Sequence, residues 1–398
     1  MVYSQGWSDR MACDECDRCR ELGYKFCIRC GQSFAEEAKA PEQPAQKEEG
    51  LFKESILRQL VLPSMIIIFI GMVVSIVVML LDFNAVLSYM ETETVDLWVW
   101  FAGMIRFCTL TGSGSQVYFV FLAVVAIACI LLVLWDSREF FKPGEGYFDR
   151  TDKTPLFWCG LLIGSTLALE LLITGFFSLI GMGISTPGGL LDLTLEEALY
   201  LFTEAAVWEE LAFRVLLFGL PVAIVGLACR EKGALKCLLG GFGPSKLAIA
   251  FLIFSSVLFA FAHVDSWGVG KFFTVILGGF MMGYVFMRFG LHAAILCHLI
   301  NDFTLVWTLG IGEIFASLMI LGIVGFGVLN LPLLFKKTYK GLKKVKGLPL
   351  TSFYVAAVDV PVAEDTPVET PAEPQEEVQE TRLREIEDQD DSQGPKTD

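Results

Sequence analysis

Eight stretches of about twenty predominantly apolar residues follow one another between residues 60 and 335, and they constrain the fold more than any other feature of the chain. A helix rises about 1.5 Å per residue, so about twenty residues cross a hydrocarbon core of about 30 Å. With 54% hydrophobic residues overall, the expectation is an all-α polytopic membrane protein. The crossings are read at 60–82, 115–135, 155–183, 195–228, 247–263, 270–288, 291–309 and 312–335. A further apolar segment, 97–112, is short and carries Arg106. Reading it as re-entrant or interfacial leaves Arg138, Lys142, Arg150, Lys153, Arg230, Lys232, Lys236 and the lysines from Lys336 to Lys346 all cytoplasmic, with both termini inside.

The transmembrane domain is placed at 56–346 and an acidic tail at 347–398. Residues 355–398 hold 14 acidic and 3 basic residues, a net of −11 out of the chain's −15. The acidity therefore belongs to the tail and says little about partners of the membrane body; nothing in the chain calls for nucleic acid. Rich in Pro, Glu, Gln and Thr and poor in large apolar residues, the tail is expected to be a disordered, solvating segment.

Five of the eleven cysteines fall within residues 13–30, as Cys13, Cys16, Cys19, Cys27 and Cys30. Two CxxC steps bring four thiolates onto one Zn²⁺, and four thiolates close its coordination, so such a zinc is structural. Pairing Cys13/Cys16 with Cys27/Cys30 leaves ten residues between the pairs, whereas starting from Cys16/Cys19 leaves seven. The longer spacing gives room for a hairpin, and the run Phe26–Gly31 resembles zinc-ribbon segments. The expected organisation is a ribbon at 1–34, a linker at 35–55 rich in Glu and Pro, and a cytosolic partner or substrate recruited through the ribbon. The N-terminus has no basic and apolar leader pattern, so the first apolar run is read as a retained helix. The six remaining cysteines sit at no ligand spacing and read as packing residues.

Three polar constellations interrupt the apolar helices. Thr194 and Glu197 form a capping-box pattern that starts a helix near residue 195. Glu209, Glu210 and Arg214 follow on it. Glu210 and Arg214, four apart, share a face and suit an ion pair, while Glu209 points about 100° away. Phe259 and His263 are one turn apart on another helix, as are His298 and Asp302 on a third. Ionised groups at bilayer depth cost at least a few kcal/mol and face protein or water-filled interiors, marking function. The chain has only 3 histidines, and two lie in these positions; His292 is left outside the site.

Taken in order, Glu209-Glu210-x-x-x-Arg214, Phe259-x-x-x-His263 and His298-x-x-x-Asp302 resemble the signature of the CPBP family, which comprises the CAAX prenyl endopeptidases and the bacteriocin-processing (Abi) membrane proteins. The resemblance covers about residues 155–335. It implies an all-helical intramembrane protease with a polar cavity open to one side. Glu209 would activate water, His263 would help hold it, and His298 with Asp302 would stabilise the oxyanion. Glu210 and Arg214 would orient their helix, and Phe259 would pack beside the cavity at the substrate. An ionised Asp302 accepts but does not donate a hydrogen bond, so it could instead orient His298 or ligate a metal. Glu209, His263, His298 and Asp302 also make a zinc-type ligand set, and metal-free and metal-dependent hydrolysis both remain open. The leading expectation is an endopeptidase acting on a membrane-associated or lipid-anchored peptide in the bilayer. The alternatives are a non-catalytic scaffold or immunity-type protein, and a transporter, for which no inverted repeat is visible.

Overall fold

The computed structural model describes residues 53–351, apart from 101–102, 182–187, 191 and 232. Cys13, Cys16, Cys27 and Cys30 with the expected ribbon, and the acidic tail, lie outside the described residues.

Seven helices are long and apolar enough to cross a membrane, and their positions follow the apolar runs. They are α1 (Val61–Leu81), α3 (Ser113–Asp136), α4 (Pro155–Leu179), α5 (Leu195–Ala228), α6 (Lys246–Ala262), α7 (Val269–Phe289) and α10 (Glu313–Val345). A short α2 (Phe83–Thr92) follows α1. The eighth expected crossing is not one straight helix. It breaks at Phe303 into α8 (Leu291–Asp302) and α9 (Thr304–Gly310), bent by 58°. No proline or glycine stands at the break; it falls one residue after Asp302. Backbone that leaves the helical ladder at membrane depth is tolerated where protein or a polar cavity surrounds it.

In lipid the apolar effect cannot drive helices together, so close packing and interhelical hydrogen bonds must. The first half of α4 is buried on every side, from Pro155 to Thr166. Its Gly164 faces Gly327 of α10 so closely that a Cβ on either would strike backbone of the other helix. Side-chain hydrogen bonds tie the same group of helices. Ser165 Oγ donates to Gly327 O at 3.2 Å, Asn330 Nδ2 to Ser64 Oγ at 2.9 Å, and Trp307 Nε1 to Ser75 Oγ at 3.1 Å. Leu81, Val117, Leu172 and Leu321 point outward and are exposed, as lipid-facing side chains are.

The segment expected to be re-entrant or interfacial is an antiparallel hairpin, β1 (Thr94–Trp100) and β2 (Met104–Thr111). Val95 and Leu97 are buried while Asp96 and Trp98 alternate to the other face, the period of a strand. The register slips between Leu97 and Trp98, leaving Phe107 as an extra residue. Such a bulge re-aims a side chain, and Phe107 stacks on Trp208 of α5 at 5.6 Å between ring centroids. The Trp208 indole also donates to Trp98 O at 2.7 Å. This hairpin is the one departure from an all-α fold among the described residues.

Candidate active site

The capping box is present: Thr194 N donates to Glu197 Oε2 at 2.7 Å and Glu197 N to Thr194 Oγ1 at 3.3 Å. From there α5 is not the regular helix expected. Ala205–Glu209 and Leu211–Gly219 are π-helical, with α-helix before and after them. Wide turns of this kind are rare and concentrate at functional sites. Pro221 follows the second one and has no N–H to continue an i→i−4 ladder.

The depth of the site follows from lengths. At 1.5 Å per residue, the 34 residues of α5 would run about 51 Å, well beyond a hydrocarbon core of about 30 Å. Counted back from Ala228, Glu209 lies nineteen residues along the helix, toward its N-terminal half. The 17 residues of α6 end at His263, about 25 Å from their start, so the two side chains meet at the same level.

The three motifs converge. Glu209 Oε2 lies 3.8 Å from His263 Nε2 and 3.8 Å from His298 Nε2. It has no hydrogen-bond partner among the described residues. Both separations exceed a direct hydrogen bond and suit one bridging atom. His263 Nδ1 lies 2.8 Å from Phe259 O. A carbonyl only accepts, so Nδ1 carries a proton and Nε2 is the nitrogen turned toward Glu209.

His298 is held at both nitrogens by carboxylates: Nδ1 by Glu210 Oε1 at 2.9 Å and Nε2 by Asp302 Oδ2 at 3.2 Å. Two carboxylates facing one ring fit an imidazolium, which donates from both nitrogens. The other oxygen of Asp302 accepts from Asn301 Nδ2 at 3.1 Å. Asp302 thus accepts on both oxygens and orients His298. Asn301 supplies one of its two partners.

Glu210 and Arg214 are both fully buried, with Arg214 Nε 3.2 Å from Glu210 Oε2. The charges are paired, although neither atom is aligned for a hydrogen bond. Arg214 Nη2 donates to Gly279 O at 3.3 Å, and the guanidinium lies 4.4 Å from the Phe259 ring centre. Both side chains are fully buried, so neither lies where a substrate could touch it. Phe259, expected at the substrate, is 3% exposed. Its ring packs against Arg214, Phe213 and both imidazoles, a support beneath the site because burial keeps it from the cavity.

A cavity of about 320 Å³ opens onto this group, and Glu209 and His263 remain 30% and 21% exposed. Asp96 and Trp98 of the hairpin, Glu204 and Trp208 of α5, and Trp267 beyond α6 line it. No Lys or Arg does. Three features of this surroundings were not read from the sequence. The hairpin wall was one. Glu204, which accepts from Tyr118 Oη at 3.3 Å, was another. The third was Glu170 of α4, close enough to Lys271 and Asp302 for their charges to act on it. A lone glutamate in the apolar run 155–179 is itself a signal.

A metal needs a free lone pair on each histidine ligand, and both nitrogens of His298 face carboxylates. Among the described residues no three or more His, Cys, Asp or Glu side chains are gathered to hold a metal ion.

Residues 193–304 match the family model described as type II CAAX prenyl endopeptidase Rce1-like. That span runs from the cap of α5 to the break after α8 and includes Glu209, Glu210, Arg214, Phe259, His263, His298 and Asp302. No curated protein and no solved structure matches the chain.

Proposed function

We propose that this membrane protein is an intramembrane endopeptidase that hydrolyses a peptide bond in a membrane-associated substrate, with Glu209 as the general base. The observation that carries the reading is Glu209 Oε2, without a hydrogen-bond partner among the described residues and equidistant from the Nε2 atoms of His263 and His298 on two other helices. The match to prenyl endopeptidases over these helices supports it.

In this reading a water bridges Glu209 and His263. His263 orients the water through Nε2, and Glu209 takes a proton from the water as its oxygen attacks the scissile carbonyl. A C–O bond forms and the carbonyl becomes an oxyanion. The charge on His298, fixed by Glu210 and Asp302, stabilises it, a role that passes from Asp302 because that carboxylate only accepts. Glu209 then returns the proton to the leaving nitrogen as the C–N bond breaks. No step uses a metal. The bilayer confines the substrate, and orientation with both termini cytoplasmic follows from the placement of Lys and Arg.

The test is cleavage of membrane-anchored peptides by purified wild type and Glu209→Gln, with newly generated termini identified by mass spectrometry. New termini only with wild type, unaffected by a chelator, are expected. Unchanged cleavage by Glu209→Gln overturns the role of Glu209, and loss of wild-type cleavage on chelation overturns the metal-free route. Absence of any new terminus in either membrane favours the partner-binding alternative.

A further inference from the structure

The two ends of the helices differ in charge, and the cavity lies at only one of them. At one end the chain carries Arg138, Lys142, Arg150 and Lys153 after α3, Arg230 and Lys236 after α5, Lys246 before α6, and the lysines that close α10. Hydrogen bonds draw these segments together. Lys337 Nζ reaches Asp152 at 2.9 Å, His292 Nε2 lies 3.0 Å from Asp136 Oδ2, and Lys246 N donates to Pro349 O at 3.0 Å. At the opposite end, the segments 82–112, 180–194, 263–271 and 302–313 contain only Arg106 and Lys271 as Lys or Arg. Arg106 is paired with Asp96, and Lys271 lies 4.3 Å from the centre of the Trp267 ring.

The cavity is built at the second end. Its walls are the hairpin between α2 and α3, the first turns of α5 and the segment after α6, and His263 caps α6 at that end. Lys and Arg in short loops mark the cytoplasmic side. The cavity therefore faces away from the cytoplasm.

We propose that the substrate is presented from the extracytoplasmic face: a peptide segment emerging from the outer leaflet, as in an exported, membrane-anchored precursor. The lipidated C-terminus of a cytosolic protein is excluded, because it would approach the basic end.

This inference rests on the endopeptidase reading for its substrate but not for its sidedness, and two measurements separate them. In full-length protein in intact cells, Asp192→Cys and Glu145→Cys, both exposed positions at opposite ends, are treated with a membrane-impermeant maleimide and located by mass spectrometry. Labelling of Asp192→Cys before permeabilisation, and of Glu145→Cys only after it, is expected; the reverse order overturns the proposal. One anchored reporter peptide is then displayed on the outer or the inner face, with wild type or Glu209→Gln. Cleavage of the outer reporter by wild type alone supports the proposal, and cleavage of the inner reporter overturns it. If neither is cleaved while Asp192→Cys labels from outside, the peptidase reading fails and the sidedness stands.

Discussion

Adjacent glutamates of identical chemistry should respond to the same substitution in opposite ways. Glu210 is fully buried, 3.2 Å from Arg214 Nε and 2.9 Å from His298 Nδ1. Glu210→Gln keeps its volume and removes its charge. Arg214 would then remain fully buried without its nearest counter-charge, its Nε and Nη1 lacking hydrogen-bond partners, and breaking a buried pair from one side costs about 3–5 kcal/mol. Glu209 is 30% exposed and its Oε2 is bonded to nothing, so Glu209→Gln should change stability by no more than about 0.5 kcal/mol. Both variants should lose peptidase activity. The assay is equilibrium unfolding in mixed micelles, followed by tryptophan fluorescence. A difference of about 3 kcal/mol between them is about a hundredfold in the unfolding constant. Adding Arg214→Gln to Glu210→Gln removes the orphaned charge and should recover part of the loss. Equal destabilisation by Glu209→Gln and Glu210→Gln, or a double variant as costly as the sum of its parts, would refute the assignment of one carboxylate to structure and the other to chemistry.

Three other outcomes are expected. Gly164→Ala places a methyl group against α10 backbone, and overpacking of this kind should cost about 1–3 kcal/mol in the same unfolding assay, whereas Gly175→Ala, with open space around it, should cost nothing. Trp208→Phe keeps a ring beside Phe107 but removes the donor to Trp98 O, a loss of about 1 kcal/mol that should speed hydrogen exchange of residues 94–100 about fivefold. The Thr109 hydroxyl, and then Arg106, hold the Asp96 carboxyl below its ordinary 3.8. A depressed carboxyl contributes its stabilisation above the unfolded value and loses it as pH falls through the folded value. Protection of the hairpin amides, taken relative to their intrinsic exchange at each pH, should therefore stay constant from neutral pH down to that range and fall below it, with Thr109→Ala shifting the fall to higher pH; a fall starting near neutrality in wild type would contradict this.

The crossings were legible because twenty-residue apolar runs have few other uses, and the seven continuous ones lie within a few residues of their expected ends, α10 excepted, whose lysine-rich end runs on to Val345. The convergence of Glu209, His263 and His298 was legible from charges at membrane depth. The bend at Phe303 was not, since neither proline nor glycine marks it, and the wide turns of α5 have only Pro221 as a trace. The hairpin was half legible: Arg106 argued against a crossing, but pairing β1 with β2 depends on contacts between strands. Phe259 was misplaced because a motif gives order along the chain and not which face is buried.

The π-helical turns of α5 carry a consequence for how this site tolerates insertions and deletions. Each wide turn holds one residue more than an α-turn, so the loss of a single codon among Ala205, Ala206 and Val207 would restore the α register there and rotate the first turns of α5 by about 100° relative to Glu209. The capping box, Glu204 and the cavity wall would move together while every motif residue kept its identity. A one-residue deletion outside the motifs is thus a larger change to this site than many substitutions within them, and an aligned sequence with every motif intact but one residue fewer before Glu209 should not be assumed to keep the same cavity.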